Sequence, residues 1–201
     1  MKRFLSNFFC NFFLITSVFS LLILFYSETK SESKVLESVN ALHESLIKIS
    51  NKKIKSKNLA LMDDVVKNSY DLEKMGKMII GVKWKKVEIK MQKEFIDVFK
   101  RFISVNYLRR FNKINDLDFE HQSVRVIEEK FRLAGVILIA DNERIKIDYL
   151  LGFKNDRWKI FDVLLDGSIS EIATKKSDFK KIINEEGLSG LIKNLRVRNQ
   201  L

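Results

Sequence analysis

FRLAGVILIADNERIKIDYLLGFKNDRWKIFDVLL, residues Phe131 to Leu165, decides the fold. Phe131 to Ala140 is apolar or small apart from Arg132. Ile145 to Phe153 begins by alternation, with Ile145, Ile147 and Tyr149 on one face and Lys146 and Asp148 on the other. Arg157 to Leu165 carries Trp158, Ile160, Phe161, Val163 and Leu164. The joins, Asp141-Asn142-Glu143-Arg144 and Lys154-Asn155-Asp156, are turn chemistry. Consecutive strands joined by such short turns must run antiparallel, because a parallel return needs a long crossover. Adding the β-branched stretch Ser123 to Ile127 predicts a four-stranded antiparallel meander. Several strands are apolar on both faces, so both faces of the sheet should be covered.

Helices flank this sheet. Val35, Leu36, Val39, Leu42, Leu46 and Ile49 recur at steps of three and four, predicting a helix over 33–49. A Lys-rich link over 51–57 follows. Leu59 to Ile80 reads as two short helices around Asn68-Ser69-Tyr70-Asp71, closed at Gly81. Glu88 to Phe111 is the clearest helix, with Phe95, Phe99, Phe102, Ile103, Val105 and Phe111 at helical spacing and Arg109 and Arg110 at its C-terminal end. After the sheet, Lys175 to Glu185 reads as helix, breaks at Gly187, and resumes from Leu188 to Val197. Helices, one sheet, then helices is an α+β layer arrangement: helices packed on a curved antiparallel sheet.

The N-terminus has another character. Lys2 and Arg3 precede a mostly apolar run from Phe4 to Tyr26, and a polar stretch follows. This is the order of a secretory signal peptide, with Ser31 and Ser33 as small residues at a cleavage site. Residues 1–33 are therefore read as a signal peptide and 34–201 as one exported domain. The run is also nearly long enough to span a bilayer, which leaves an uncleaved anchor open. The lone Cys10 lies inside it, so the exported part has no thiol and no disulfide.

Composition excludes several classes. At 46% apolar and 31% charged residues, the chain is too apolar for disorder and too charged for a polytopic membrane protein. The net charge of +11 permits an anionic partner without requiring one. Lys83-Trp84-Lys85-Lys86 has the basic–aromatic look of a base-stacking site, but basic residues beside exported helices favour a solvated face or anionic headgroups, and no nucleic-acid partner is expected. His43 and His121 lie in unlike contexts with no metal spacing, and neither a metal nor a cofactor is expected. Asp162, set among apolar strand residues, and Asp148 are the only candidates for a buried acid. The competing reading of Asp162 is a hydrogen-bonding residue at a strand end. The 16 Phe fit either a closed core or a core that leaves an apolar cavity between sheet and helices.

A resemblance narrows this. Tyr70-Asp71-Leu72-Glu73-Lys74-Met75, Gly81-Val82-Lys83-Trp84, Gln92-Lys93-Glu94-Phe95 with Phe99, and Tyr107 stand in the order seen in the periplasmic MlaC / toluene-tolerance auxiliary family. So do Asp148-Tyr149, Trp158-Lys159-Ile160-Phe161-Asp162-Val163, Asp166-Gly167-Ser168-Ile169-Ser170 and Gly187-Leu188-Ser189-Gly190-Leu191-Ile192. The chain resembles that family over about residues 33–197. It departs where Glu88-Ile89 replaces the Ser-Pro or Thr-Pro that often opens the long helix.

The resemblance implies a fold of the nuclear-transport-factor-2 type with added helices, and an apolar pocket for acyl chains. It implies a soluble monomeric shuttle, auxiliary to an ABC transporter, that carries phospholipid in the periplasm. Its partners would be an outer-membrane lipoprotein complex and an inner-membrane ABC transporter complex that maintain outer-membrane lipid asymmetry. Such a protein is not an enzyme. The expected lining is Tyr70, Met75, Phe95, Phe99, Phe102, Ile145, Ile147, Tyr149, Trp158 and Ile160. Two other classes stay open: an exported enzyme of the same architecture using a buried Asp, and a membrane-anchored structural protein.

Overall fold

Both predicted hairpins close on two-residue turns. Asp141 and Asn142 have φ of 49° and 69°, and Asn155 and Asp156 have φ of 51° and 59°. These left-handed conformations suit Asn and Asp and match the right-handed twist of paired strands. In this computed structural model, which describes residues 33–50, 52 and 56–201, they join strands β2 (Phe131–Ala140), β3 (Glu143–Lys154) and β4 (Arg157–Leu165). The segment expected to be a signal peptide or anchor lies outside the described residues, as do Lys53 and Lys55 of the Lys-rich link.

The sheet has five strands in the order β1-β2-β3-β4-β5, all neighbours antiparallel. Two differences from the sequence reading concern its edges. β1 (Leu117–Glu128) has 12 residues, well beyond 123–127. Glu120, His121 and Gln122 interrupt any apolar signal there, but backbone pairing from Leu117↔Ala140 to Glu128↔Phe131 recruits them regardless of side chain. A fifth strand, β5 (Ile169–Ser170), adds only two residues, too few to show as a pattern in sequence.

The helices are α1 (33–49), α2 (Ser56–Ser69), α3 (Leu72–Ile80), a 3₁₀ turn (Gly81–Lys86), α4 (Ile89–Phe111) and α5 (Glu171–Arg198). α5 starts four residues before the expected Lys175 and is broken at Gly187, whose φ of 69° and ψ of −167° no helix accepts. α4 has no side-chain cap at Glu88. The Gln92 side chain instead donates to the carbonyls of Trp84 and Val87 at 3.2 and 2.9 Å, tying the first turn of α4 to the preceding loop.

The core runs along α4. Phe95, Phe99 and Phe102 share one face by i, i+4 and i+7 spacing. Their rings form a chain from Trp84 (6.0 Å from Phe95) through Phe99 (5.5 Å) and Phe102 (6.4 Å) to Phe179 of α5 (6.0 Å). Gly76 lets α3 approach this row: a Cβ there would stand 3.2 Å from both Phe95 and Trp84. Ser38 of α1 donates to the Trp158 carbonyl at 2.6 Å and docks α1 on β4. Among the described residues, no helix is long and apolar enough to cross a membrane.

Candidate functional site

The break between α2 and α3 is built into the sheet. The Asp71 N–H donates to the Ile160 carbonyl of β4 at 2.8 Å, beside a parallel bridge between Tyr70 and Ile160. The Asp71 carboxylate caps α3 by accepting the Lys74 N–H at 3.1 Å, and it also accepts from Lys154 Nζ at 3.0 Å. So anchored, the turn buries the Tyr70 side chain, whose hydroxyl hydrogen-bonds that of Tyr107 from α4.

Tyr70 and Tyr107 form part of the wall of a cavity of about 470 Å³ between sheet and helices. That volume falls within the range of small-molecule sites, roughly 300–1,000 Å³. The sheet contributes Phe119, Leu138, Ala140, Ile145, Ile147, Tyr149, Val163 and Leu165. The helices contribute Leu46, Met75, Phe99, Phe102, Ile103, Phe111 and Ile172, with Ile114 from the segment after α4. The strand residues share one face through register: Leu138 opposes Ile145, Ile147 opposes Leu165 and Tyr149 opposes Val163.

The tyrosine hydroxyls of the wall are neutral and partnered, and Asn106 of α4 adds a further uncharged polar group. Burial pushes the Tyr70 and Tyr149 hydroxyls well above their ordinary range. Burial likewise raises Tyr107 to about 12, with Glu171 pushing the same way and the Tyr70 hydrogen bond and Arg110 opposing. The Tyr149 hydroxyl shares a 3.0 Å hydrogen bond with His43 Nε2. Charge is confined to the opening, where the exposed Arg110 and Asp166 and the half-buried Glu171 and Lys175 complete the wall. The arrangement is a largely apolar chamber with a charged rim.

Of the residues expected to line a pocket, Tyr70, Met75, Phe99, Phe102, Ile145, Ile147 and Tyr149 meet at this cavity. Phe95, Trp158 and Ile160 lie away from it. Phe95 is fully buried between Trp84 and Phe99 and belongs to the closed part of the core. Ile160 is also fully buried and meets the α2–α3 turn through its backbone. Trp158 packs on Phe153 at the far end of the hairpin, under the Arg132 guanidinium. The i, i+4, i+8 row Ile103, Tyr107 and Phe111 on α4, whose members the sequence reading named without assigning them to a pocket, also lines it. Nothing in the local pattern marks Leu46 or Phe119.

Other candidate chemistry resolves into structure. Asp162 is buried, and its carboxylate accepts from the Ser170 hydroxyl (2.6 Å), the Ile172 N–H (3.1 Å) and its neighbour's Val163 N–H (2.8 Å). It holds the N-terminus of α5 against β4. Asp148 is buried opposite Gly135, on the strand face away from Ile147 and Tyr149, with Lys146 Nζ 3.5 Å away. Trp84 is buried against Phe95, so its ring is not available to stack a base. His43 is buried against Phe119 at a ring separation of 3.8 Å. Among the described residues no three His, Cys, Asp or Glu side chains gather where a metal would sit.

Comparison with known proteins agrees with this architecture. A search of curated proteins returns no match. Among solved structures, a phospholipid-binding protein from Ralstonia solanacearum, captured in complex with a phospholipid, superposes with a TM-score of 0.71 at 19% identity, covering 83% of this chain and 97% of that one. At that identity the likeness is one of fold. The family model for MlaC protein matches residues 37–197, from α1 to the last turn of α5, and the chain therefore belongs to the MlaC family.

Proposed function

We propose that this protein is a non-catalytic phospholipid carrier of the periplasm. Acyl chains occupy the cavity between sheet and helices, and the headgroup stays at the charged rim. The observation that carries this reading is the cavity itself: about 470 Å³, walled by Phe, Ile, Leu and Tyr, with formal charge only at its opening. A fully packed core leaves no such space. The phospholipid held by the Ralstonia protein of the same fold supports the same assignment.

The task is transfer through water. Each exposed methylene costs about 0.8 kcal/mol, and diacyl lipids carry dozens of them. An apolar chamber removes most of that barrier with no bond made or broken. In this proposal residues 1–33 direct export. The mature monomer then passes lipid between an outer-membrane lipoprotein complex and an inner-membrane ABC transporter complex, maintaining outer-membrane lipid asymmetry. Asp162 does not favour an enzymatic reading, because its carboxylate is engaged at the start of α5.

The test is organic extraction of the purified protein followed by lipid mass spectrometry, expected to return close to stoichiometric phospholipid. Protein that carries none, and takes none from vesicles, overturns the proposal.

A further inference from the structure

We propose that the 3₁₀ turn after α3 and the start of α4, residues 81–90, form a docking tip for a bilayer surface that carries anionic headgroups. This tip lies apart from the cavity and does not depend on what the cavity holds.

The observation is a rigid turn that exposes apolar side chains among unpaired lysines. Val82 and Ile89 are 90% and 69% exposed. Lys83, Lys85, Lys86 and Lys90 stand between and beside them, all exposed. None of the four forms an ion pair among the described residues. Glu88 is the one acid of the stretch, so four Lys against one Glu leave it strongly positive. The adjoining part of α5, which Lys83 Nζ meets at Asn184 Oδ1 (3.1 Å), is balanced: Lys180 and Lys181 against Glu185 and Glu186. The turn is held from inside. Trp84 is buried against Phe95. Its carbonyl accepts from the Val87 N–H at 3.1 Å and from the Gln92 side chain at 3.2 Å. A 3₁₀ turn repeats every three residues, so with Trp84 inward, Val82 and Lys85 share one outward row and Lys83 and Lys86 another.

A bilayer suits this tip better than a protein does. Val82 protrudes, and a protein partner would have to match its shape. A fluid bilayer needs no matching shape: short apolar side chains enter the headgroup boundary while lysines reach along the surface to phosphates. Each Lys close to an anionic surface tightens binding about fivefold. The aromatic and basic cluster at the β3–β4 hairpin does not compete for this role, because its cations are engaged. Lys74 Nζ lies over the Phe131 and Phe161 rings at 4.0 and 3.3 Å, the Arg132 guanidinium lies over Trp158 at 4.6 Å, and Lys154 pairs with Asp71 and Glu73. The cavity opens beside Arg110, toward the other end of α4 and roughly 30 Å from Ile89 by the α-helical rise. A tip so placed can rest on a bilayer without covering the opening.

The test places a nitroxide at Val82→Cys, with Val197→Cys, an exposed apolar site in the last turn of α5, as the control, both on a Cys10→Ser background. Protein isolated from cells is mixed with vesicles of phosphatidylcholine, with or without phosphatidylglycerol. Electron paramagnetic resonance then reads collisions of the nitroxide with oxygen and with a water-soluble nickel chelate. We expect the label at 82, and not the one at 197, to enter the apolar boundary of the phosphatidylglycerol vesicles and to return to water at high salt. Adding Lys83→Gln, Lys85→Gln and Lys86→Gln should cut the fraction of label 82 in the bilayer at least about tenfold, with circular dichroism and bound lipid per protein unchanged. A label at 82 that stays in water, equal entry by the label at 197, entry that ignores phosphatidylglycerol, or a triple variant that enters like its parent overturns the inference. None of these outcomes touches the carrier reading, which lipid content alone decides.

Discussion

His43 Nε2 and the Tyr149 hydroxyl meet at 3.0 Å, and this bond ties α1 to the wall of the cavity. Tyr149 faces the chamber from β3, and Phe119, on which the His43 ring stacks, faces it from β1. His43 therefore braces two wall residues from behind. Its Nδ1 is buried without a partner among the described residues, which makes a charged ring costly there.

Acid should loosen this brace. Burial pulls the His43 pKa down to about 3, with His121 pushing the same way. A folded-state value below the unfolded one means the unfolded chain takes up the proton first. The stabilisation is complete above about pH 6.5 and is lost as pH falls toward 3. Its size is on the order of a few kcal/mol, since each tenfold loss of proton affinity is worth about 1.4 kcal/mol. Urea midpoints of the wild type should fall between pH 7 and pH 4.5, and His43→Phe should flatten that slope. Parallel slopes would assign the acid sensitivity elsewhere.

A carboxylate in the wall should separate binding from folding. Ile147 is buried and faces the cavity, where an introduced side chain has room. Ile147→Glu should stay folded by circular dichroism and lose most lipid, because a charge against acyl chains has no partner. Ile160→Glu, at a fully buried site outside the cavity, should unfold the protein.

Asp162 predicts a stability effect. Asp162→Ala removes the acceptor for Ser170 and Ile172 and should cost about 2–4 kcal/mol in urea unfolding. Asp162→Asn, which keeps one acceptor oxygen, should recover part of it. If Asp162→Ala is as stable as the wild type, the capping role is wrong.

Gly76 predicts a packing effect. Gly76→Val places branched carbons against Phe95 and Trp84, already 3.2 Å from a Cβ, and should cost about 1–3 kcal/mol. Near-ultraviolet circular dichroism should report the displaced Trp84.

The hairpins, the helix breaks and the layer order were legible from residues alone. Asp141-Asn142 and Asn155-Asp156 adopt left-handed turns cheaply, and two-residue turns force antiparallel neighbours, so topology followed from local chemistry. Gly187 broke α5 where it was expected to. What each apolar side chain packs against was decided only in three dimensions. Phe95 and Phe99 are one helical turn apart on the same face, yet one is sealed by Trp84 and the other meets the cavity. On β4, an irregularity in register beside Leu150 and Leu151 intervenes between Ile160 and Val163, so strict alternation does not carry across it. Hydrophobicity rewards removal from water without naming a partner, so periodicity tells which residues are covered and leaves open what covers them. The rim is more dependent still on tertiary structure: Arg110 and Glu171 are brought to one opening only because β1 to β5 return the chain from the end of α4 to the start of α5.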